Sequence, residues 1–502
     1  MRAFLYIGFL LPFIINSNIV EAQVYGSNVF EFQYGNLPNE ENRNYTTSYN
    51  QLNLFYDSDK ISFYGKLEQF LTPNKELDYL ELTQKRFQYQ DDNFRIRVGN
   101  FYETIGRGLL LRSYDIPGSI YEDAFQRKRY SFFRDLEGIA INANTEWLEI
   151  KALRAEPLFN ILPPDFNPDS LRRPDLVEAI QANVFINEQL SIGGAFLRSN
   201  PSFSDQYQEY GSLMFTLSPI SNIQFFSEYA FETNTNLLAF NEQDSYALYT
   251  GMNFYLDSFG GSFEYKNYNK FRLGQGYNDP PSLIKEHTYP ILNRSTHVLE
   301  TSSETGIQAE FYYNFDPGHS ITVNYSTANN DLFKEFEYQE YFLEGYFVVD
   351  DYLSFKSFFD YANDDLKGEE NRFSTGFITE KSYNYIWGIA LDIQYQTFTR
   401  SFEPDPSKNY YGSFTFSYLP SFTAGLIFEA STDPQLTDNP KTFGVETDTR
   451  LWFGGNVSYK FNSRNRVDVF AGKRRGGPAC TSGICYEILD FEGVEVRFST
   501  RF

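Results

Sequence analysis

Two cysteines near the end of the chain form the first chemically suggestive pair. Cys480 and Cys485 are separated by four residues in a glycine-rich stretch. In an oxidising compartment such a pair is typical of a disulfide that closes a small loop. The alternative is half of a metal site, but no His or further Cys lies nearby to complete a ligand set. The spacing therefore favours a disulfide between Cys480 and Cys485.

A basic segment at residues 103–136 is the longest in this acidic chain. Gly106 and Gly108 permit a sharp bend there. In one interpretation the segment folds into the interior of the protein and lines a constriction, where charged side chains set selectivity. In the other it is an extracellular loop that pairs with its own acidic residues, which are Glu103, Asp115, Glu122, Asp123 and Asp135. The residues predicted for the constriction are Arg107, Arg112, Arg127, Lys128, Arg129 and Arg134.

The other ionisable residues give weaker signals. Acidic stretches at residues 364–370 and 433–448 carry carboxylates that suit Ca²⁺, but neither has EF-hand spacing, and solvated loops explain both. His287, His297 and His319 are too dispersed along the chain to form a ligand set. The sequence offers no motif with a Ser/His or similar nucleophilic pair. We therefore predict no catalytic residue, no cofactor and no metal, and a protein that is not an enzyme.

The composition agrees with this shortage of reactive groups. The 502 residues include 39 Tyr, 52 Phe and 3 Trp but only 2 Cys and 3 His, and the formal net charge is −24. So acidic a chain lacks the basic footprint of a nucleic-acid-binding protein. Two cysteines cannot build a disulfide-rich scaffold. No stretch of 18 apolar residues is present, which excludes a helical membrane protein.

The first 22 residues match the pattern of a secretory signal peptide. Arg2 supplies the positive charge, residues 3–15 form a short apolar run, and Val20 and Ala22 are small residues at the positions that a signal peptidase reads. The apolar run is too short to span a membrane. We predict a signal peptide at residues 1–22 and a mature domain at residues 23–502.

The rest of the chain alternates between apolar and polar residues with a period of two. In residues 60–70, Ile61, Phe63 and Leu67 share one face, as expected for strands with one apolar and one polar face. The clearest example ends the chain and resembles the C-terminal signal by which outer-membrane barrels are recognised for insertion. Its residues are Val494, Val496, Phe498 and Phe502.

Connections of two kinds alternate between these strands. Short ones, such as residues 57–59 and 350–351, contain residues that tight hairpins require. Long polar ones include residues 103–136, 155–176 and 270–302, and we interpret the last as a mobile loop. Transmembrane barrels have this wiring, with short periplasmic turns and long extracellular loops. The sequence lacks the repeat of a β-propeller or β-helix.

We therefore predict an all-β fold, a transmembrane up-and-down antiparallel β-barrel of about 24 strands, within a range of 22–26. The predicted location is the outer membrane, reached by signal-dependent export. The partners expected there are outer-membrane lipid and the barrel-insertion machinery, and no nucleic acid.

Two segments resemble those of a known family. Residues 98–112 read VGNFYETIGRGLLLR, and residues 472–486 read GKRRGGPACTSGICY. Together they resemble a family of uncharacterised outer-membrane β-barrel proteins of the Bacteroidota. The resemblance implies the fold and the location. It implies no activity and no catalytic residue, because none is assigned to that family.

Two functions suit such a barrel. The first is a porin-like channel or transport pore for small solutes, because a barrel of this size holds an aqueous lumen unless something fills it. Strands begin close to residue 23, so any obstruction must come from loops such as residues 103–136, 155–176 or 270–302. The second is a non-enzymatic interaction or scaffold barrel with outer-membrane protein partners in a larger assembly. A surface enzyme is the third candidate, and the sequence offers no motif for it.

Overall fold

The computed structural model of the protein describes most of the chain after residue 22. The described residues are 23–36, 44–123, 127–158, 175–201, 206–234, 244–274, 276–298, 303–316, 318–330, 335–400, 403, 405–437, 449–481 and 484–502. No helix among them is long and apolar enough to cross a membrane. The predicted signal peptide lies outside the described residues.

Strands dominate the described part of the chain. In chain order they are β1 Gln23–Asn36, β2 Asn44–Asp57, β3 Ile61–Leu71, β4 Tyr79–Asp91, β5 Phe94–Phe101, β6 Thr104–Ile105, β7 Leu111–Arg112, β8 Tyr114–Glu122, β9 Arg129–Arg134, β10 Leu136–Asn144, β11 Leu148–Pro157, β12 Leu176–Asn187, β13 Leu190–Asn200, β14 Gln208–Ile220, β15 Ile223–Glu232, β16 Tyr246–Leu256, β17 Phe259–Asn269, β18 Ser303–Asp316, β19 His319–Asn330, β20 Phe336–Asp350, β21 Leu353–Asp364, β22 Glu369–Tyr383, β23 Trp387–Thr399, β24 Ser407–Tyr418, β25 Phe422–Ser431, β26 Arg450–Lys460, β27 Asn465–Arg474, β28 Gly477–Thr481, β29 Ile484–Ile488 and β30 Phe491–Arg501. The described helices are the short α1 Pro290–Arg294 and α2 Pro434–Thr437, with one 3₁₀ turn at Lys75–Leu77.

Twenty-four of these described strands form one closed antiparallel barrel. Each pairs with its neighbours in chain order, β5 pairs with β10, β27 pairs with β30, and β1 pairs with β30 to close the wall. The predicted fold class and strand number are confirmed. Hairpins β6–β7, β8–β9 and β28–β29 pair only within themselves and stand outside the wall ladder.

The two ends of the barrel differ. Tight turns join strands at the end where β1 begins and β30 finishes, as between Asp57 and Ile61 or between Asp350 and Leu353. The opposite end carries the long connections, as the alternation of short and long loops predicts. This asymmetry places the long segments at one rim, from which they can fold back into the barrel.

Side chains alternate between the two faces of the wall. On β3, Ile61, Phe63 and Leu67 are exposed on the outside, whereas Lys66 and Glu68 are buried on the inside. Exposed large apolar side chains recur on the outer face of other wall strands, for example Phe30 and Phe32 on β1. An apolar exterior around a polar interior is the reverse of a soluble protein and suits a lipid surround.

Two long connections fill part of the barrel interior. We call the described residues of 102–135, with β6–β9, the first inner segment, and the described residues of 270–298, with α1, the second inner segment. Leu109, Leu110 and Leu111 of the first segment share a buried cluster with Phe271 and Leu273 of the second and with inward-facing side chains of β10–β17. The main apolar cluster of the described residues therefore lies inside the wall, beside β10–β17, whereas the inner face of β1–β3 is mostly polar.

Candidate functional site: the filled barrel interior

Arg129 joins the first inner segment to the seam of the barrel. Its guanidinium pairs with Glu31 on β1 and with Glu122 of its own segment at 3.1 Å, and lies 4.0 Å from Glu495 on β30. All four side chains are buried or nearly so. Charged groups removed from water need partners of opposite sign, and Arg129 is the cation that the three carboxylates share beside their separate partners Arg497, Arg127 and Arg474.

A second attachment lies on β3. Glu68 Oε1 accepts a hydrogen bond from the Ser131 backbone N–H at 2.7 Å and another from the Tyr49 hydroxyl at 2.6 Å. Lys66 Nζ lies 3.3 Å from Ser131 Oγ and 4.8 Å from the centre of the Phe133 ring. The hairpin β8–β9 is thus held against β1–β3 by side chains and not by a strand ladder.

The beginning of the same segment reaches the opposite wall. The backbone N–H of Gly106 donates to Gln181 Oε1 on β12 at 2.8 Å, and that of Arg107 donates to Glu228 Oε2 on β15 at 2.6 Å. Gly106 has a φ of +63°, and a Cβ there would collide with the Glu228 carboxylate. Only glycine fits both requirements. The first inner segment therefore spans the lumen from wall to wall.

The second inner segment packs on the first. Arg112 Nη1 donates to Asp279 Oδ2 at 2.9 Å, and the Asp279 backbone N–H donates to the Gly108 carbonyl at 3.2 Å. Asn278 Nδ2 donates to the Leu109 carbonyl at 3.3 Å. Burial raises the pKa of Asp279, and the nearby arginines only partly oppose this. The sequence predicts a mobile loop at residues 270–302. In the structure buried side chains and hydrogen bonds hold residues 270–274 and 276–298 against the first inner segment and the wall, so any motion there must break these contacts.

A cavity of about 500 Å³ remains between the two inner segments and the wall. Arg107 and Arg112 line it, together with Tyr249, Glu264 and Gln308 of the wall. The Arg107 guanidinium lies 3.7 Å from the centre of the Phe226 ring, a cation–π contact. Within the described part of the chain, the Arg107 side chain makes no ion pair. This cavity is where charged side chains of the first inner segment face open space.

The six predicted constriction residues have different surroundings. Arg107 and Arg112 line the cavity. Arg127 and Arg129 belong to the ion-pair network around Glu122, which is one of the acidic residues named as alternative partners. Arg134 donates to the Gly276 carbonyl at 3.2 Å, and the backbone N–H of Lys128 donates to Asp123 at 2.9 Å. The structure brings all six onto the first inner segment, but only the first two border the cavity.

The histidines are less dispersed in space than in sequence. His287 and His297 are both buried on the second inner segment, where His287 contacts Glu340 and His297 contacts Asp364. The three histidines do not meet in one cluster among the described residues, but His287 lies close to two carboxylates. The pairing arises only when the inner segment meets β20 and β21, and no local sequence signal reveals it.

The acidic stretches are partly used for ion pairs. Three of their carboxylates lie within ion-pair distance of a basic side chain. The distances between carboxylate oxygen and side-chain nitrogen are 3.1 Å for Asp364 and His297, 3.2 Å for Glu369 and Arg372, and 2.6 Å for Asp433 and Arg400. Their interpretation as purely solvated loops is wrong for these three residues, because each carboxylate is buried against a basic group. Asp438, Glu446 and Asp448 lie outside the described residues.

The predicted disulfide and insertion signal lie near the seam. Cys480 and Cys485 stand directly opposite each other in the β28–β29 ladder, and the bond between their sulfurs stays a prediction. Cys480 also bridges to the second inner segment, because its backbone N–H and C=O both bond to the Asn293 side chain. Val494, Val496 and Phe498 lie on β30, and Phe502 exchanges two backbone hydrogen bonds with Gly26. Their role as an insertion signal stays a prediction.

These features define a class of protein, a closed 24-stranded antiparallel β-barrel whose interior is occupied by its own loops. The model of a family described as a family of unknown function, DUF6029, matches residues 7–116 and 220–502. This is most of the chain, so the protein belongs to the DUF6029 family. Its Bacteroidota origin stays a prediction.

Several solved barrels are similar in outline. OpdQ of Pseudomonas aeruginosa is 14% identical, with 71% of this chain and 96% of that chain covered at a TM-score of 0.40. OccAB4 of Acinetobacter baumannii is 12% identical, with 72% and 97% covered at 0.39. The translocation pore of the P pilus usher PapC is 8% identical, with 96% and 99% covered at 0.46. No curated protein matches the chain. The fold rests on the strand pairing described above.

Proposed function

We propose that the protein is an outer-membrane channel for small solutes whose two inner segments close the lumen and open it by moving. One observation supports this most directly. Both inner segments are joined to the wall by side-chain contacts, and the described hairpins β6–β7 and β8–β9 share no ladder with the barrel strands. Such a closure can detach while the wall keeps every strand pair.

The outer face of the barrel wall supports the proposed outer-membrane location. Its outer face exposes apolar side chains over most strands, which in water would be an aggregation surface. Outer-membrane lipid would cover that face, and the barrel-insertion machinery would receive the chain after removal of residues 1–22. Recovery of the expressed protein in the outer-membrane fraction of a Gram-negative host supports this location, and recovery in the periplasm contradicts it.

Arg107 and Arg112 are the predicted constriction residues that we place on the solute path. Both line the cavity between the inner segments, and Arg107 is exposed there. A cation on an otherwise narrow route sets selectivity among charged solutes. This role assigns no catalytic residue and no enzyme activity to the protein.

Solute uptake tests the function. Phe101 and Leu136 are directly paired on β5 and β10, so a short glycine-serine linker can replace residues 103–134 without altering the wall. We expect liposomes with this variant to admit small sugars quickly and liposomes with the unaltered protein to admit them slowly. A folded variant that stays impermeable would refute the channel and favour the scaffold barrel.

A further inference from the structure

Three ionisable side chains from separate parts of the chain meet inside the barrel. His287 comes from the second inner segment, Glu340 from β20 and Asp360 from β21. All three are buried, and one potential ligand atom of each lies within 4.8 Å of those of the other two. His287 Nε2 is 3.0 Å from Glu340 Oε1. Imidazole and carboxylate groups at such spacings are the donors of protein metal sites.

Neighbouring groups fix the two carboxylates from one side. Arg372 Nη2 lies 3.1 Å from Glu340 Oε1, and Arg372 Nε lies 3.3 Å from Asp360 Oδ2. The Ser374 hydroxyl donates to the same Asp360 oxygen at 3.1 Å. Hydrogen bonds of this kind orient metal-binding carboxylates and leave their second oxygens available.

The remaining atoms of the cluster make no hydrogen bond with any described residue. They are Glu340 Oε2, Asp360 Oδ1 and His287 Nδ1, and all three are buried. Most buried polar atoms in proteins are hydrogen-bonded, so three exceptions in one cluster need an explanation. An ion that accepts electron pairs would satisfy acceptor atoms that no protein donor reaches.

The net charge of the cluster also favours a bound cation. Arg372 contacts Glu340, Asp360 and Glu369, so one guanidinium faces three buried carboxylates. Buried negative charge in excess of its partners is costly. A divalent cation would reduce this excess of negative charge.

We propose that His287, Glu340 and Asp360 bind a divalent transition-metal ion of the Zn²⁺ or Mn²⁺ type. One imidazole and two carboxylates suit these ions, whereas Ca²⁺ and Mg²⁺ prefer sites made of oxygen alone. The ion would tie the second inner segment to β20 and β21. This inference does not depend on the channel function, because a scaffold barrel would be stabilised in the same way.

Metal content after refolding tests the site. The protein is refolded into detergent with excess Zn²⁺ or, separately, Mn²⁺, desalted and measured by elemental mass spectrometry. We expect one ion per chain, a loss of at least tenfold in retention for Glu340→Gln, and no retention of Ca²⁺. Glu344→Gln is the matched control, because Glu344 is an inward carboxylate on the same strand that binds the Tyr289 hydroxyl of the same segment.

A variant outside the wall keeps the test decisive. If Glu340→Gln does not refold, as judged by its heat-dependent mobility on gels, His287→Gln alters the cluster without changing any wall strand. Loss of the ion in His287→Gln with retention in Glu344→Gln supports the site. Folded protein without bound Zn²⁺ or Mn²⁺, or equal retention in His287→Gln, overturns it.

Discussion

Replacing Arg129 with Met is the sharpest test of how the first inner segment is held. Arg129 is 4% exposed and contacts Glu31, Glu122 and Glu495, which form one buried group. Each carboxylate has one further arginine partner, namely Arg497, Arg127 and Arg474, so the loss of Arg129 removes their shared cation and leaves one partner for each. Because those arginines remain, the loss is that of buried charge-assisted hydrogen bonds, which contribute about 1.5–3 kcal/mol. The cost falls on the attached state, because after detachment water can solvate the carboxylates.

The size of the effect follows from that free energy. At about 1.4 kcal/mol per tenfold change, the equilibrium between attached and detached segment shifts roughly ten- to a hundredfold. Single-channel recording in planar bilayers measures the open probability, which should rise by an amount within that range until it saturates. Arg198→Met is the control. It removes an arginine from an exposed wall pair with Glu209, where the contribution is at most about 1 kcal/mol.

The outcome for Arg129→Met is informative in both directions. A folded Arg129→Met barrel with the open probability of the unaltered protein would refute the claim that this network holds the segment. An equal increase in Arg198→Met would assign the effect to net charge instead of the buried pairing.

Three further predictions concern the inner segments and the hairpin beside them. Gly106→Ala should weaken the attachment of the first inner segment by more than the ~1 kcal/mol expected for an alanine in the left-handed region, because a Cβ there also meets the Glu228 carboxylate of the wall. Gly118→Ala is the control for the backbone contribution alone, because Gly118 has a φ of +77° and open space around it. Equal shifts of the melting temperature in the two variants would contradict the clash. Burial disfavours the charged form of His297, but its two carboxylate partners outweigh this effect and raise its pKa. The ion pairs of protonated His297 therefore stabilise the folded protein fully below about pH 6.5, the ordinary pKa of histidine. This stabilisation is lost as the pH rises through the higher pKa of the folded state. Hydrogen exchange of residues 290–298 should therefore speed up with pH beyond its intrinsic dependence, and His297→Phe should abolish that extra slope; an unchanged slope would contradict it. A Cys480–Cys485 bond leaves no thiol to react in denaturant without reductant, and its removal in the double Ser variant should destabilise the hairpin by about 2 kcal/mol; two reactive thiols would disprove the bond.

Most strands of the wall can be predicted from the sequence, because their outward faces are apolar and their inward faces are mostly polar. The alternation on β3 and β30 and the short turns follow directly from residue types. One turn is not predicted by these residue types. Asn384 and Tyr385 both have positive φ and join β22 to β23, but the sequence Tyr385-Ile386-Trp387 resembles a strand. Aromatic side chains are favourable at the membrane interface, so they occur in turns at the rim of a barrel as well as in its strands, and the sequence there does not distinguish the two.

The packing of the two inner segments inside the lumen is much harder to predict from the sequence. The sequence singles out the basic segment and the loops that can obstruct a barrel, yet the partners of Arg129 lie about a hundred residues before it, at Glu31, and several hundred after it, at Glu495. No local pattern encodes such pairs. His287 illustrates the same limit, because its two carboxylates belong to strands that become its neighbours only after the barrel closes.

Single-channel conductance of the variant with a linker in place of residues 103–134 tests the central claim most directly. The unaltered protein should show a mostly closed baseline with rare openings. The variant, inserted and folded, should show a steady large conductance, because the first inner segment no longer crosses the lumen between β3 and β15. A folded variant with the same closed baseline would contradict the claim that this segment closes a channel.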